Sequence, residues 1–265
     1  MLKKRLIFVL LYDNGKFMQS RNFKLQTVGN MEWLKANYDY DSIAYAIDEL
    51  VVLNVSKDNK NVADFCKCLR EISKQYFMPI AAGGGIKSIE DAKKIFSAGA
   101  DKIVLNTTYF NNTRLIKELI KVYGRQSIIA SIDYNRNEDN SPVYIKSGQC
   151  RLAMSLEEAI THVEDIGAGE LLLTSIYDDG TGEGYDYENL INVSKRVSTP
   201  VIANGGCGQF IQFVKVFQEC KVSAAATSDL FNFMCDGLQE AREFVRNNEV
   251  KLAKWDVDYF KCKKG

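Results

Sequence analysis

The stretch Pro79–Gly85, "PIAAGGG", returns as "PVIANGG" at Pro200–Gly206, 121 residues further along the chain. Each copy is a short apolar run that ends in glycines, which is the pattern of a buried strand followed by a tight turn. A second pair has the same offset, because "DELVVLNVS" from Asp48 corresponds to "GELLLTSIY" from Gly169. Chance similarity between Gly-rich turns is the alternative, but the shared register favours an internal repeat.

Apolar runs of this kind alternate with longer amphipathic stretches along the chain, which is typical of βα units around a parallel sheet. The predicted strands lie near 5–11, 48–54, 79–82, 102–106, 127–133, 169–175, 200–204 and 223–227. Eight such units in about 250 residues predict one α/β domain, a (β/α)8 TIM barrel. The repeat divides it into half-barrels at about 1–123 and 124–250, followed by a C-terminal tail at 251–265.

The composition excludes several classes of partner. The chain has 34 basic and 34 acidic residues, so no overall charge favours nucleic acid or a membrane surface. No apolar run approaches the roughly 18 residues that span a bilayer. Seven cysteines without a metal-ligand spacing predict free thiols in the cytoplasm, and we expect neither a metal nor a cofactor. The single histidine, His162, lies in a helical pattern, which leaves any chemistry to carboxylates, lysines or a thiol.

Glycine-rich turns at the ends of strands predict two phosphate sites, because backbone N–H groups can approach an anion closely there. The first site would comprise Gly84, Gly85, Asn106 and Thr107, and the second Gly180, Gly205, Gly206 and Ser228. The ligand would then be a phosphorylated small molecule with phosphates at both ends, unless one site is vestigial. The other interpretation is that these glycines serve only tight turns. Asp229, next to the second site, would weaken anion binding there.

Four charged residues, Arg5, Glu49, Lys102 and Glu170, each stand at the start of a predicted strand. Strand starts converge at the lower end of a barrel, so these long side chains would have to pair to be buried there. They form either a neutral layer that closes the barrel floor or a gate through which a small molecule passes along the axis.

The chain resembles the cyclase subunit family of imidazole glycerol phosphate synthase, from Leu2 to about residue 250. The motifs that carry the resemblance are "DELVVLNVS", "PIAAGGGI", "GADKIVLNT", "GAGELLLTSIYDDGTGEGYD" and "VIANGG". The resemblance implies a barrel of two similar halves, a substrate with two phosphates, and a glutaminase subunit that docks beneath the barrel in a heterodimer. It also implies an ammonia gate that matches Arg5, Glu49, Lys102 and Glu170, and a glutaminase contact at Asp101.

The chain departs from the family pattern around the expected active site. Of the two aspartates that the family uses for acid–base catalysis, the second matches Asp133, whereas the first aligns with Leu11. Asp13, two residues further on the same face of an extended strand, is an alternative acid. A family lysine aligns with Gln19, and two family aspartates align with Asn54 and Tyr177, although the neighbouring Asp179 is retained.

The residues that match the family's ammonia gate are thus kept, whereas several residues that match its ring-closing site are altered. This pattern predicts an ammonia-conducting subunit. The resemblance to paralogues of the cyclase in bacterial surface-sugar pathways implies that it supplies a third protein, a sugar amidotransferase. The alternatives are a genuine cyclase of histidine biosynthesis, which uses Asp133 with Asp13 or Asp179, and a regulatory subunit that only binds a bis-phosphate. Ala130, Thr174 and Ala203 are expected to line the lumen.

The contacts of two aromatic segments are the last question that the sequence raises. Tyr38, Tyr40 and Tyr45 lie in the segment after the first strand, where they would contact a third protein or pack against the barrel wall. In the basic C-terminal segment, Trp255 and Phe260 are expected to pack onto the barrel.

Overall fold

Eight parallel strands form a closed barrel in the computed structural model, which describes residues 3–38, 43, 45–57, 60–75 and 78–253. The barrel strands are β1 (Arg5–Asp13), β4 (Glu49–Asn54), β5 (Ile80–Gly83), β6 (Lys102–Leu105), β7 (Ile128–Tyr134), β10 (Glu170–Ser175), β11 (Val201–Asn204) and β12 (Ala224–Thr227). Strand β1 pairs in parallel with both β12 and β4, and β7 pairs with both β6 and β10, so the sheet has no free edge within this ring. The predicted (β/α)8 barrel is confirmed, and no predicted strand end is misplaced by more than two residues.

Helices lie between the barrel strands. The helices whose bounds the structure describes are α1 (Met31–Asn37), α2 (Val62–Ser73), α3 (Ile89–Ser97), α4 (Thr107–Asn111), α5 (Thr113–Tyr123), α6 (Leu156–Ile166), α7 (Tyr187–Arg196), α8 (Phe210–Glu219) and α9 (Gly237–Asn247), with a 3-10 turn at Arg125–Ser127. Their starts follow from local sequence: the Ser88 hydroxyl accepts a hydrogen bond from the backbone N–H of Asp91, and Ser155 and Glu158 form a capping box. None of the described helices is long and apolar enough to cross a membrane.

Two antiparallel hairpins project from the upper end of the barrel, where the strands end. Strands β2 (Lys16–Arg21) and β3 (Lys24–Gly29) continue from β1, and β8 (Pro142–Ile145) and β9 (Cys150–Ser155) continue from β7. The sequence pattern does not predict these four strands. Both hairpins cover the barrel mouth, where a candidate site would lie.

The core has two layers, because successive residues of a strand face opposite sides. The outer layer packs the strands against the helices, and the inner layer fills the barrel. The inner apolar side chains are Ile7, Val9, Leu11, Met18, Val51, Ala81, Val104, Ile129, Leu172, Ile202, Ala224 and Ala226. The prediction that Ala130 and Ala203 line the lumen is wrong, since both belong to the outer layer. Each neighbours an inward-facing residue, Ile129 or Ile202, and alternation therefore turns it outward.

Helix α9 is fastened to the lower end of the barrel by a buried ion pair. The Arg242 guanidinium donates to both carboxylate oxygens of Asp48 at 3.0 Å, and also to the carbonyl oxygens of Ala46 and Ala253. Asp48 in turn accepts the backbone N–H of Leu6 at 2.8 Å. Arg242 is only 4% exposed, so its charge is held by these partners rather than by water.

The first tyrosine after α1 packs inside the protein. Tyr38 is 1% exposed and its ring lies 5.4 Å from that of Phe8, which favours the packing interpretation for this residue. Tyr40, and the C-terminal segment from residue 254 with Trp255 and Phe260, lie outside the described residues.

Candidate functional site

The four charged side chains predicted at the strand starts meet in one ring at the lower end of the barrel. Arg5 contacts Glu49 at 2.6 Å and Glu170 at 2.8 Å, while Lys102 contacts the same two carboxylates at 3.0 and 3.3 Å. Glu49 is 2% exposed, and burial raises the pKa of its carboxyl although both cations oppose the shift. Two positive and two negative charges thus close the floor as a neutral ring.

Among the described residues, no hydrogen-bonding side chain faces the lumen between this ring and the top of the barrel. Its inward-facing side chains are the apolar inner layer, from Ile7 and Ala224 near the ring to Leu11 and Val104 at the upper cavity. A cavity needs several polar partners to hold an ordered water, so this stretch disfavours water.

A cavity of about 320 Å³ opens at the upper end of the lumen. Strand ends, the two hairpins and the loops after β4, β5 and β6 form its wall. Its charged lining residues are Lys57, Lys60, Lys87, Lys146, Asp133 and Asp179. Among the described residues, four lysines against two aspartates give the cavity a positive balance.

Asp133 lies at the end of β7 and faces this cavity. Ser131 donates to one of its carboxylate oxygens at 3.2 Å, and Asn106 to the other at 3.3 Å. Burial raises the pKa of Asp133 to about 7, against the hydrogen bond from Ser131 and the charge of Lys60. Burial likewise lowers the pKa of Lys60, so an acid and a base that both titrate closer to neutrality share the cavity.

Leu11 occupies the wall of the cavity at the position where the resemblance places the first catalytic aspartate. It is 8% exposed and stands beside Met18 and Leu53 in the sheet register, in an apolar surface. Asp13 lies at the turn into β2, where it accepts a hydrogen bond from Asn14 at 2.9 Å, and it is not among the residues that line the cavity. The structure therefore brings Asp133 and Asp179 to the cavity but not Asp13.

Asp179 holds the β2–β3 hairpin closed over the second half of the barrel. Its Oδ2 accepts the Ser20 hydroxyl at 2.5 Å and the backbone N–H of Phe23 at 3.1 Å. Asn22 adds a backbone bond to the Asp179 carbonyl at 2.8 Å and a side-chain bond to the Ile176 carbonyl. Burial raises the pKa of the Asp179 carboxyl, and both hairpin donors oppose this shift.

The residues predicted for the first phosphate site all line the cavity: Gly84, Gly85, Asn106 and Thr107. Gly84 has a φ of +101°, and a Cβ there would stand 2.2 Å from the Asn54 carbonyl oxygen, so only glycine fits. Of the second predicted site, only Ser228 lines the cavity. A Cβ on Gly180 would be 1.8 Å from the Ser20 carbonyl oxygen, and one on Gly206 would be 2.0 Å from that of Gly184, so only glycine fits at these positions as well. Gly205 likewise faces backbone, that of Ser175.

Two buried amide side chains of the cavity have atoms without a partner. Asn54 Nδ2 and Asn204 Oδ1 make no hydrogen bond within the part of the chain that the structure describes, although the two residues are only 1% and 7% exposed. Buried polar atoms are almost always paired, so one free donor and one free acceptor indicate the place of a ligand or of water.

Sequence reasoning missed several residues that line the cavity. Ser131 and Asn204 follow from strand alternation, because each shares the inward face with Asp133 or with Ile202. The four cavity lysines lie on loops, where no period applies, and their convergence is visible only in three dimensions.

Asp101 precedes β6 at the lower end of the barrel. It is exposed, and its Oδ2 accepts the backbone N–H of Ile80 at 2.8 Å. The carboxylate is therefore held in place on the face that also carries the charged ring.

Comparisons with known proteins give one consistent result. A family model described as "Histidine biosynthesis protein" matches residues 6–234. A putative imidazole glycerol phosphate synthase subunit hisF2 of Parasynechococcus marenigrum (strain WH8102) is 40% identical over 97% of this chain and 96% of its own length. Imidazole glycerol phosphate synthase subunits HisF are 36% identical in Clostridium botulinum (strain Okra / Type B1), over 93% and 97%, and 34% identical in Chlorobium phaeovibrioides (strain DSM 265 / 1930), over 95% and 99%.

Proposed function

Because the chain belongs to the histidine biosynthesis protein family and is similar to HisF subunits, we propose that it is the barrel subunit of a glutamine-dependent pair. A glutaminase binds the lower face in a heterodimer, and ammonia passes along the barrel axis to an acceptor at the upper cavity. The observation that carries this proposal is the paired ring of Arg5, Glu49, Lys102 and Glu170 beneath an apolar lumen.

The ring and the lumen together select neutral ammonia. An ion that entered the lumen would lose its hydration without finding a charged partner there, which is costly, whereas ammonia carries no charge. Lys102 holds the ring at 3.0 and 3.3 Å and carries a flexible four-carbon stem, so it is the member whose displacement opens the path. Asp101, exposed on the same face, contributes to glutaminase docking in this proposal.

Our leading proposal is that the acceptor is not the substrate of the cyclase reaction. The ammonia instead serves the amidation of a bacterial surface sugar, which involves a third protein. This proposal rests on Leu11, an apolar side chain at the first acid position, and on Asp13, which stands outside the cavity lining. Losing a catalytic acid or base typically costs about 10² to 10⁴ in rate. The free thiols of the six described cysteines agree with a cytoplasmic location for such a pair.

The second candidate is the cyclase reaction of imidazole glycerol phosphate synthase, and the names of the similar proteins favour it over sugar amidation. Asp133, with a pKa of about 7, is able to take and give a proton near neutrality. Asp179 would be its partner, although its carboxylate already binds the β2–β3 hairpin.

One experiment separates the two candidates. The purified chain is mixed with ammonium and the ribulosyl-formimino substrate of the cyclase, and ring closure is followed. We expect turnover at least about a hundredfold below that of an ordinary HisF subunit, since one acid is missing. Turnover near the ordinary rate would refute the leading acceptor and establish the second candidate.

Conduction is tested separately with the complex that co-purifies with the chain. It receives glutamine labelled with ¹⁵N in the amide and an excess of unlabelled ammonium. We expect wild-type protein and the control Lys117→Met, an exposed lysine of α5, to transfer mainly labelled nitrogen. Lys102→Met is expected to change the labelled fraction, and identical label in all three proteins would count against the gate.

A further inference from the structure

The side chain of Lys60 is held at both of its ends at the wall of the upper cavity. Its Nζ donates to the Ser147 hydroxyl at 3.1 Å, and both residues line the cavity. Its stem packs on the turn after β5, because a Cβ on Gly85 would stand 2.9 Å from the Cβ of Lys60. The loop after β4 and the β8–β9 hairpin thus place one amine at a defined position.

This amine has no carboxylate partner within the part of the chain that the structure describes. Lys60 forms no ion pair there, and the partner of its Nζ is a neutral hydroxyl. Burial lowers its pKa; the charge of Asp133 opposes this shift, that of Lys87 adds to it, and that of Asp13 opposes it. A desolvated lysine beside a second cation loses its proton readily and becomes a nucleophile.

A proton donor faces the same cavity. Asp133 lies at the end of β7, and burial raises the pKa of its carboxyl to about 7, so a substantial fraction of this carboxyl is protonated near neutrality. Lys60 and Asp133 are thus displaced toward neutrality from opposite sides, which allows an uncharged amine and a carboxylic acid to coexist at one pH.

The cavity also presents apolar surface beside these two groups. Leu11, Leu53 and Val55 line it and belong to the apolar layer inside the barrel. Apolar walls exclude water from a reacting group, and water is the species that hydrolyses an imine. A volume of about 320 Å³ accommodates a molecule of the size of an open-chain sugar.

We propose that the Lys60 amine condenses with the carbonyl group of an open-chain aldose or ketose in this cavity, with Asp133 as the proton donor. The nitrogen bonds to the carbonyl carbon and one amine proton passes to the oxygen, which gives a carbinolamine. Asp133 then protonates the hydroxyl group, the C–O bond breaks and water leaves. An iminium remains beside the Asp133 carboxylate, and the step consumes no oxidant or reductant.

This activity goes beyond the proposed function, since carbonyl capture requires neither a glutaminase nor ammonia. Only its use rests on that function. Ammonia that attacks the iminium carbon displaces the Lys60 amine and leaves its own nitrogen on the sugar. An iminium is a better electrophile than the parent carbonyl, so capture on Lys60 prepares the acceptor for this attack.

Reductive trapping on the full chain tests the proposal. The probe is D-glyceraldehyde, an uncharged aldose, so anion binding does not contribute, and cyanoborohydride converts each iminium to a stable amine. After a brief reaction near neutral pH, mass spectrometry of the digested chain gives the extent of modification at each lysine. We expect Lys60 to react at least about tenfold faster than the exposed Lys117, because each unit by which its pKa falls raises the uncharged fraction about tenfold.

Two variants separate the amine from its charge and from its acid. Lys60→Arg keeps a cation at the position, and the fast first adduct should disappear from the intact mass. Asp133→Asn should slow the modification of Lys60 by at least about tenfold and leave that of Lys117 unchanged. The exposed control Lys117→Arg should keep the fast adduct.

Equal rates at Lys60 and Lys117 in wild-type protein would overturn the proposal, as would a fast adduct that persists in Lys60→Arg. Trapping at the wild-type rate in Asp133→Asn would refute the assigned proton donor. These measurements contain no glutaminase and no ammonia, so their failure is distinct from failure of the ¹⁵N labelling experiment.

Discussion

Asp133 is buried at the top of β7, and its neighbours only partly stabilise the ionised carboxylate. Ser131, Asn106 and Lys60 favour the ionised form, yet desolvation outweighs them and raises the pKa to about 7. The resemblance to the cyclase subunit family, whose second catalytic aspartate matches this position, predicts this residue. The partners could not be predicted, because Lys60 lies on a different loop and reaches the cavity only through the fold.

The pKa of Asp133 makes stability depend on pH. An unfolded Asp loses its proton near its ordinary pKa of 3.8, whereas the folded residue keeps it to about 7. The folded state therefore binds more protons in this window, and the free energy of unfolding falls as pH rises through it. We expect Asp133→Asn to remove this loss, so that wild type declines relative to the variant by up to about 4 kcal/mol between about pH 4 and pH 8.

Urea unfolding at a series of pH values measures this difference. The exposed Asp139→Asn serves as a control for loss of one carboxylate. Parallel curves for wild type and Asp133→Asn would contradict the assigned proton affinity.

The charged ring gives a second prediction at this scale. Lys102→Met leaves Glu49 with Arg5 as its one cation, and Glu49→Gln leaves Lys102 with Glu170. Because Glu49 is buried, we expect a coupling free energy of about 1 to 3 kcal/mol in a double-mutant cycle followed by urea unfolding. The exposed pair Arg114–Glu118, at 3.0 Å, should give less than about 0.5 kcal/mol. Equal coupling in the two pairs would show that the ring is not desolvated.

The β2–β3 hairpin contributes Ser20, Phe23 and Leu25 to the cavity wall, and its sequence pattern does not predict it. The turn at Asn14–Gly15 was visible, but Lys16–Gly29 carries a mixed pattern, in which Phe17 and Met18 are buried in succession. Strict alternation is the signal of a half-buried strand, and a bulge between these two residues breaks it. Gln19 and Ser20, which bind the second half of the barrel, were therefore placed on no element.

Substitutions at Gly180 and Gly182, which lie in one loop, test whether the contact between Gly180 and Ser20 keeps the β2–β3 hairpin in place. Gly180 and Gly182 have φ values of +67° and +73°, so alanine at either position carries a similar backbone cost of about 1 kcal/mol. A Cβ on Gly180 would meet the Ser20 carbonyl at 1.8 Å, whereas one on Gly182 would meet nothing within 4 Å. We expect Gly180→Ala to raise amide hydrogen exchange in Lys16–Gly29 by at least about tenfold.

Gly182→Ala is the matched control and should leave exchange in the hairpin at the wild-type rate. If both variants exchange alike, the contact between Gly180 and Ser20 does not hold the hairpin in place.

At the scale of the molecule, the barrel followed from the sequence because eight apolar runs were separated by amphipathic stretches of the right length. The outer and inner layers were harder to assign, as Ala130 and Ala203 show, because small residues occur on both faces of these strands. The division into two half-barrels stays a prediction from the offset of 121 residues.

Closure of the molecule at its lower end depends on Arg242. Truncation of one partner of a buried ion pair leaves the other uncompensated, at a cost of about 3 to 5 kcal/mol. We therefore expect Arg242→Met to lower the free energy of unfolding by about this amount in urea titrations, because Asp48 keeps its burial and loses its cation. Arg246→Met, one turn further along α9 and exposed, should change it by less than about 0.5 kcal/mol. A small effect at both positions would mean that Asp48 is hydrated without Arg242.

The pairing of Lys4 with the segment at Leu252 has a practical consequence. The N–H of Lys4 donates to the carbonyl of Lys251 at 2.9 Å, so the chain enters and leaves the barrel side by side, one residue away from Arg5. A purification tag joined directly before Lys4 or directly after Ala253 would be anchored next to the surface where we expect the glutaminase to dock, and it would compete with the protein it is meant to retrieve. The same closeness makes Lys4 and Leu252 positions from which a fluorescent dye reports docking.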